Sequence, residues 1–185
     1  MIQINLVARI AADKNSFFDL VYLAYKLQQD QIQSFRILFI GDILNVSIYQ
    51  NIVRLADLLK VSDKIDFTKK SIQYSELPES IQRGYFINFT IGDFIGYSGI
   101  ESINLGYKTI FYNGDPNAQF AKNNILGYCS DIDSLTKLFK IIDKNPVKAD
   151  NQITANCLLK KEEFKLSGDD KQLLLSTMLS ENNVA

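Results

Sequence analysis

The residues best suited to chemistry lie between Asn88 and Glu101, a stretch reading N-F-T-I-G-D-F-I-G-Y-S-G-I-E. It holds three glycines (Gly92, Gly96 and Gly99) and two carboxylates, Asp93 and Glu101, eight positions apart. Glycine lets a backbone approach a ligand closely, and the free amides of a helix opening around Ser98-Gly99 suit phosphate or sugar oxygens. Ionised carboxylates only accept hydrogen bonds, so Asp93 and Glu101 fit a polyhydroxylated ligand better than a phosphate. The same composition also fits an ordinary glycine-rich turn with two surface acids.

A second group is Arg9 to Lys14, between an apolar run and a helix-period segment. Two cations beside a helix N-terminus would suit a diphosphate, Arg9 binding bidentately and Lys14 acting as a point charge. They fit equally well as surface cations, one of them paired with Asp13. A third is Gly41-Asp42, where a glycine ends an apolar run. It could let a flat ligand reach the backbone, or simply make a turn. No G-x-G-x-x-G and no G-x-x-x-x-G-K-[ST] occurs, which argues against a dinucleotide cofactor and a P-loop.

The elements that must position these groups alternate between β-rich and helix-period segments, the pattern of a parallel sheet covered by helices. Strands are expected over Ile4–Ile10, Arg36–Gly41, Lys64–Thr68, Tyr85–Phe89, Lys108–Tyr112 and near Ile125–Cys129. Helices are expected over Ser16–Gln29 behind an Asn15-Ser16 cap, Ile48–Leu59, Glu76–Arg83, Gly99–Leu105 closed by Gly106, and Ser134–Ile142. Past Pro146 the rhythm ends, and a polar connection is expected to lead to one terminal helix over Asp169–Leu179. The prediction is an α/β, Rossmann-like parallel sheet of about six strands flanked by helices, with a C-terminal helix. Residues 1–145 would form the binding domain and 146–185 an extension. Ligands of such sheets bind beyond the carboxyl ends of the strands, where all three residue groups fall.

Composition narrows the chemistry. The net charge of −1 gives no reason to expect nucleic acid, and Lys160-Lys161 is offset by Glu162-Glu163. There is no histidine, so a Ser-His-Asp triad is excluded, and with only Cys129 and Cys157, far apart, no zinc site is expected. Reduced thiols point to a cytoplasmic setting. Met1 leads straight into strand-like sequence, so no secretory leader is expected, and no run approaches the roughly 18 apolar residues of a membrane span.

At these residues the chain resembles the C-terminal domain of the group 1 family of retaining glycosyltransferases, which have the GT-B fold. That family carries an E-x7-E motif, EGFGLxxxEAxAxG, with a serine three positions before its first acid. Thr90 stands at the serine, Asp93 at the first glutamate, Gly96 at the second glycine, Glu101 at the second glutamate and Gly106 at the closing glycine. Val7-Ala8-Arg9 to Lys14-Asn15 resembles the family's GR…KG segment, Ile37–Gly41 its second strand, Leu58–Phe67 its "lgl-d-V-F" stretch, and Asn124–Asp133 the segment after the donor site. The similarity covers about residues 4–143.

The resemblance implies roles. Glu101 would bind the ribose hydroxyls, Asp93 would face the donor sugar, and amides around Gly96, Tyr97, Ser98 and Gly99 would hold sugar and phosphate oxygens. Arg9 and Lys14 would stabilise the departing diphosphate without a metal or other cofactor. Asp93 is one methylene shorter than glutamate, Phe94 replaces a glycine and Tyr97 an aliphatic residue. The implied partners are a nucleotide-diphosphate sugar and an N-terminal acceptor-binding domain absent from this chain. The implied setting is cell-surface glycan assembly, with a full-length protein peripheral at the inner face of a membrane. Two other readings stand beside this one: a non-catalytic glycosyltransferase-like scaffold or chaperone module, and another GT-B sugar-nucleotide enzyme such as an epimerase.

Overall fold

A computed structural model describes residues 1–12, 17–91, 94–113 and 126–163, with Gln172 alone beyond them. The elements run β1 (Ile2–Val7), α1 (Phe17–Gln29), β2 (Phe35–Ile40), α2 (Val46–Leu58), β3 (Ile65–Phe67), α3 (Glu79–Gln82), β4 (Tyr85–Ile91), β5 (Phe94–Ile95), α4 (Tyr97–Asn104), β6 (Lys108–Tyr112), β7 (Tyr128–Cys129), α5 (Ile132–Lys144) and α6 (Pro146–Glu163). Six strands form a parallel sheet in the order β3-β2-β1-β4-β6-β7, and β5 pairs antiparallel with the end of β4. The fold is α/β and Rossmann-like. Its strand order reverses between β1 and β4, the place where such sheets hold ligands.

Burial follows from the sequence pattern. On α1, Phe17, Leu20, Val21, Leu23, Ala24 and Leu27 are all buried, the i, i+3, i+4, i+7 stripe that holds a helix to a sheet. They share one core with Ile4, Leu6, Ile37 and Phe39 of the strands and with Leu135, Leu138, Phe139 and Ile142 of α5. A smaller core of Ile40, Tyr74, Leu77 and Phe86, with Tyr107 stacked on Phe86 at 4.8 Å, also packs against the sheet. No helix among the described residues is long and apolar enough to cross a membrane.

Several boundaries differ from the expectations. β1 ends at Val7, and Ile10 makes only an isolated bridge to Ile43. The expected Glu76–Arg83 helix divides at Pro78: a 3₁₀ turn covers Tyr74–Glu76, Leu77 is extended (φ −65°, ψ 139°), and α3 begins after the proline. Proline forces this on the residue before it. β5 was not anticipated, because two residues are too short to show a period.

The larger correction concerns residues 146–163, expected as a polar connection. They form the 18-residue helix α6, opened by Pro146, a favourable first helical position. Its buried stripe is Ala149, Ile153, Cys157 and Lys160. That stripe is one residue wide and half of it is not aliphatic, so the apolar period is faint in the sequence. The expected cap Asn15-Ser16 and the expected helix Asp169–Leu179 lie outside the described residues.

Candidate functional site

The carboxyl ends of β1, β2 and β3 are laced together. Past β1, the Ala8 amide donates to Ile40 O (2.9 Å) and the Ile10 amide to Asp42 O (2.8 Å), while Leu44 and Asn45 donate back to Ile10 O. Past β2, the Gly41 amide donates to Thr68 Oγ1 at 3.1 Å, and the Ser71 amide and hydroxyl both donate to Asp42. Those two bonds hold the Asp42 carboxyl below its ordinary range. Ile10 is buried and its neighbour Arg9 is exposed, so this lacing fixes the backbone from which the Arg9 side chain projects.

The other wall of the site comes from β4 and α4. Thr90 is buried and donates to Tyr112 O on β6 at 3.1 Å, so its hydroxyl is spent inside the sheet. α4 opens with Gly96 as its cap and without a side-chain cap. Gly99 and Ile100 donate to Gly96 O at 2.9 and 3.2 Å. The Tyr97 and Ser98 amides make no hydrogen bond among the described residues, and Tyr97 is 91% exposed. A helix start of this kind carries partial positive charge and accepts an anion readily.

The three described glycines of the expected site differ in why they are glycine. A Cβ on Gly41 would stand 2.3 Å from the Ala8 carbonyl oxygen, and one on Gly99 would stand 2.6 Å from the Asn88 side chain. Both are demanded by the chain's own packing, and the Gly41 amide is already bonded to Thr68. A Cβ placed on Gly96 would meet no described atom within 4 Å outside its chain neighbours, and its φ of −60° suits any residue. Nothing described requires a glycine there.

Glu101 is exposed, one turn into α4. Tyr74 and Tyr107 stand close enough that its charge adds to burial, the larger cause, in raising both phenols above their ordinary range. Tyr107 donates to Tyr74 O at 2.9 Å, which ties this aromatic pair together beside Glu101. The structure thus brings Arg9, Gly41, Gly96, Tyr97, Ser98, Gly99 and Glu101 onto the carboxyl-end side of the sheet and the helix that follows β4. Lys14 and Asp93 lie outside the described residues.

Sequence reasoning missed Asn88. It is 7% exposed, and its Oδ1 has no hydrogen-bond partner among the described residues. Leaving such an acceptor unpaired costs about 1–3 kcal/mol. The signal was present as one amide in the strand run Y-F-I-N-F-T-I. Cys129 and Cys157 are no part of this site: burial raises both thiols, Cys129 to about 12, which removes thiolate chemistry near neutral pH.

No protein-family model and no curated protein matches the chain. Solved structures do. Over 96% of this chain and 48% of the other, it superposes on Anabaena HepE in complex with UDP, with a TM-score of 0.69 and 12% identity. The C-terminal domain of the group 1 glycosyl transferase LpcC from Francisella tularensis matches with a TM-score of 0.62 and 10% identity, covering 89% of this chain and 87% of that one. A glycosyltransferase from Rickettsia africae matches with a TM-score of 0.56 and 18% identity over 85% of this chain and 41% of the other. This chain shares their fold. It spans about half the length of the HepE and Rickettsia proteins and nearly the whole of the LpcC domain.

Proposed function

We propose that the chain is the nucleotide-sugar-binding domain of a retaining, hexosyltransferase-like glycosyltransferase, which moves a sugar from a nucleoside-diphosphate donor to a cell-surface glycan or glycoconjugate. The observation that carries this reading is the open first turn of α4. It follows the strand beside the sheet's reversal point, begins at a glycine that no described packing contact requires, and bears Glu101 one turn further on. The kinship in fold with a protein solved in complex with UDP supports it.

In this reading the Tyr97 and Ser98 amides meet the diphosphate, and the open space at Gly96 admits the ligand. Glu101 accepts from the ribose hydroxyls, and Asp93 faces the donor sugar. Arg9 and Lys14 neutralise the charge that builds on the leaving diphosphate, a task some transferases give to a divalent cation. The acceptor is bound mainly by an N-terminal domain outside this chain, across a cleft. The setting is the cytoplasm, with the whole protein peripheral at the inner face of a membrane.

Calorimetric titration with UDP, GDP and their sugars tests the reading. The expected outcome is saturable, weak binding to one nucleotide series, unchanged by EDTA. Glu101→Ala and Arg9→Ala should each weaken it at least about tenfold, the worth of a charged hydrogen bond. Binding to no nucleotide would favour the scaffold reading. The chain alone is expected to transfer no sugar, and measurable transfer would overturn the assignment of the acceptor to a second domain.

A further inference from the structure

Asn88 lies under the first turn of α4. The position a Gly99 Cβ would take is 2.6 Å from both Cγ and Oδ1 of Asn88, and the Asn88 Nδ2 donates to Ser98 Oγ at 3.4 Å. An apolar side chain would fill this buried place without an unpaired polar atom, so the amide is the costlier occupant. Its hydrogen bond to Ser98 has a chemical consequence. A hydroxyl that accepts from an amide keeps its own proton to give elsewhere. Ser98 Oγ belongs to the same half-buried turn as the Tyr97 and Ser98 amides.

We propose that Asn88 is a positioning residue for a diphosphate at this turn: by donating to Ser98 Oγ it turns the serine proton outward and makes the side chain a third donor beside the two backbone amides. This rests on reading the site as one for a nucleotide sugar. It assigns the first turn of α4 to the diphosphate, whose oxygens only accept, and leaves the sugar hydroxyls to the acceptor groups. Gly99 is part of the device, since only a residue without a Cβ leaves room for the amide. Asn88 itself touches no ligand.

The test compares UDP with uridine by calorimetry on the whole chain, with Tm followed in parallel. Asn88→Asp keeps the shape, but its ionised carboxylate accepts the serine hydroxyl's hydrogen bond, turning that proton inward, and sets a negative charge under the turn. The paired variant Asn88→Ala with Gly99→Ala removes the amide while the new Cβ fills part of its space. Ser98→Ala removes the hydroxyl. All three are expected to lose about tenfold in UDP affinity, as for one hydrogen bond to a charged group, while uridine binding stays within about twofold. A merely structural role would lower UDP and uridine binding together, with Tm. That parallel loss overturns the proposal, as does UDP binding unchanged in Asn88→Asp. Failure of the unaltered chain to bind UDP or GDP is a different result, for it overturns the nucleotide-sugar reading and this inference with it.

Discussion

Glycines of similar appearance in the sequence make opposite predictions once their surroundings are known. Gly41→Ala drives a Cβ into the Ala8 carbonyl, a backbone atom held by its neighbours' hydrogen bonds. It is expected to destabilise the chain by about 1–3 kcal/mol, measured by urea denaturation. Gly96→Ala meets no described atom and should leave the denaturation midpoint nearly unchanged while weakening UDP binding. Equal effects of the two on stability would contradict this division. Much of the candidate site was legible at this scale, because glycines, acids and cations stand out wherever they fall. What was not legible is which glycine serves the fold. That depends on Ala8 lying beside Gly41 and Asn88 beneath Gly99, tertiary contacts that no local sequence pattern reveals.

Among the elements, α5 shows how local chemistry fixes a helix start. Asp131 accepts from the Ser134 amide at 2.7 Å, and the Ser134 hydroxyl accepts from the Asp131 amide at 3.1 Å, a reciprocal cap. The bond from the Ser134 amide is the largest cause lowering the Asp131 carboxyl from its ordinary value. A carboxyl lowered in the folded state stabilises above the unfolded-state pKa, near 3.9, and loses that contribution as pH falls through the lower folded value. Asp131→Asn should therefore flatten the pH dependence of stability below about pH 4, and Asp131→Ala should cost about 1 kcal/mol at pH 7. Urea melts at pH 3 and pH 7 check both. The helices with wide apolar stripes, α1 and α5, were readable in advance. α6 was not, for its buried face combines an alanine, an isoleucine, a cysteine and a lysine whose head pairs with Glu163 at 2.6 Å.

Across the whole molecule, α6 packs back onto the sheet. Cys157 lies against Thr109, whose amide reaches its Sγ at 3.4 Å, and Lys108 on β6 pairs with Asp150 at 3.0 Å. Lys161 donates to the carbonyl of Asn104 at the end of α4. The helix therefore covers β6 and steadies the far end of the helix whose first turn forms the candidate site. A fragment of residues 1–145 should lack a cooperative thermal transition, whereas 1–163 should melt as one unit. A sharp, two-state melt of the shorter fragment would show that α6 is dispensable. The parallel sheet of about six strands was legible from the alternation of elements; its order was left open. The reach of α6 back to β6 and α4 was not legible, because it joins residues some 40 to 60 positions apart.

The fit of Asn88 beneath Gly99 also constrains the order in which this protein can evolve. Any residue larger than glycine at 99 meets the amide, whereas a smaller residue at 88 meets nothing and leaves only a void. The easier route shrinks Asn88 first and enlarges Gly99 second, whereas the reverse order forces the Asn88 amide to move at its first step. Divergent descendants of this chain should therefore retain both residues, or have lost the amide before gaining bulk on the helix.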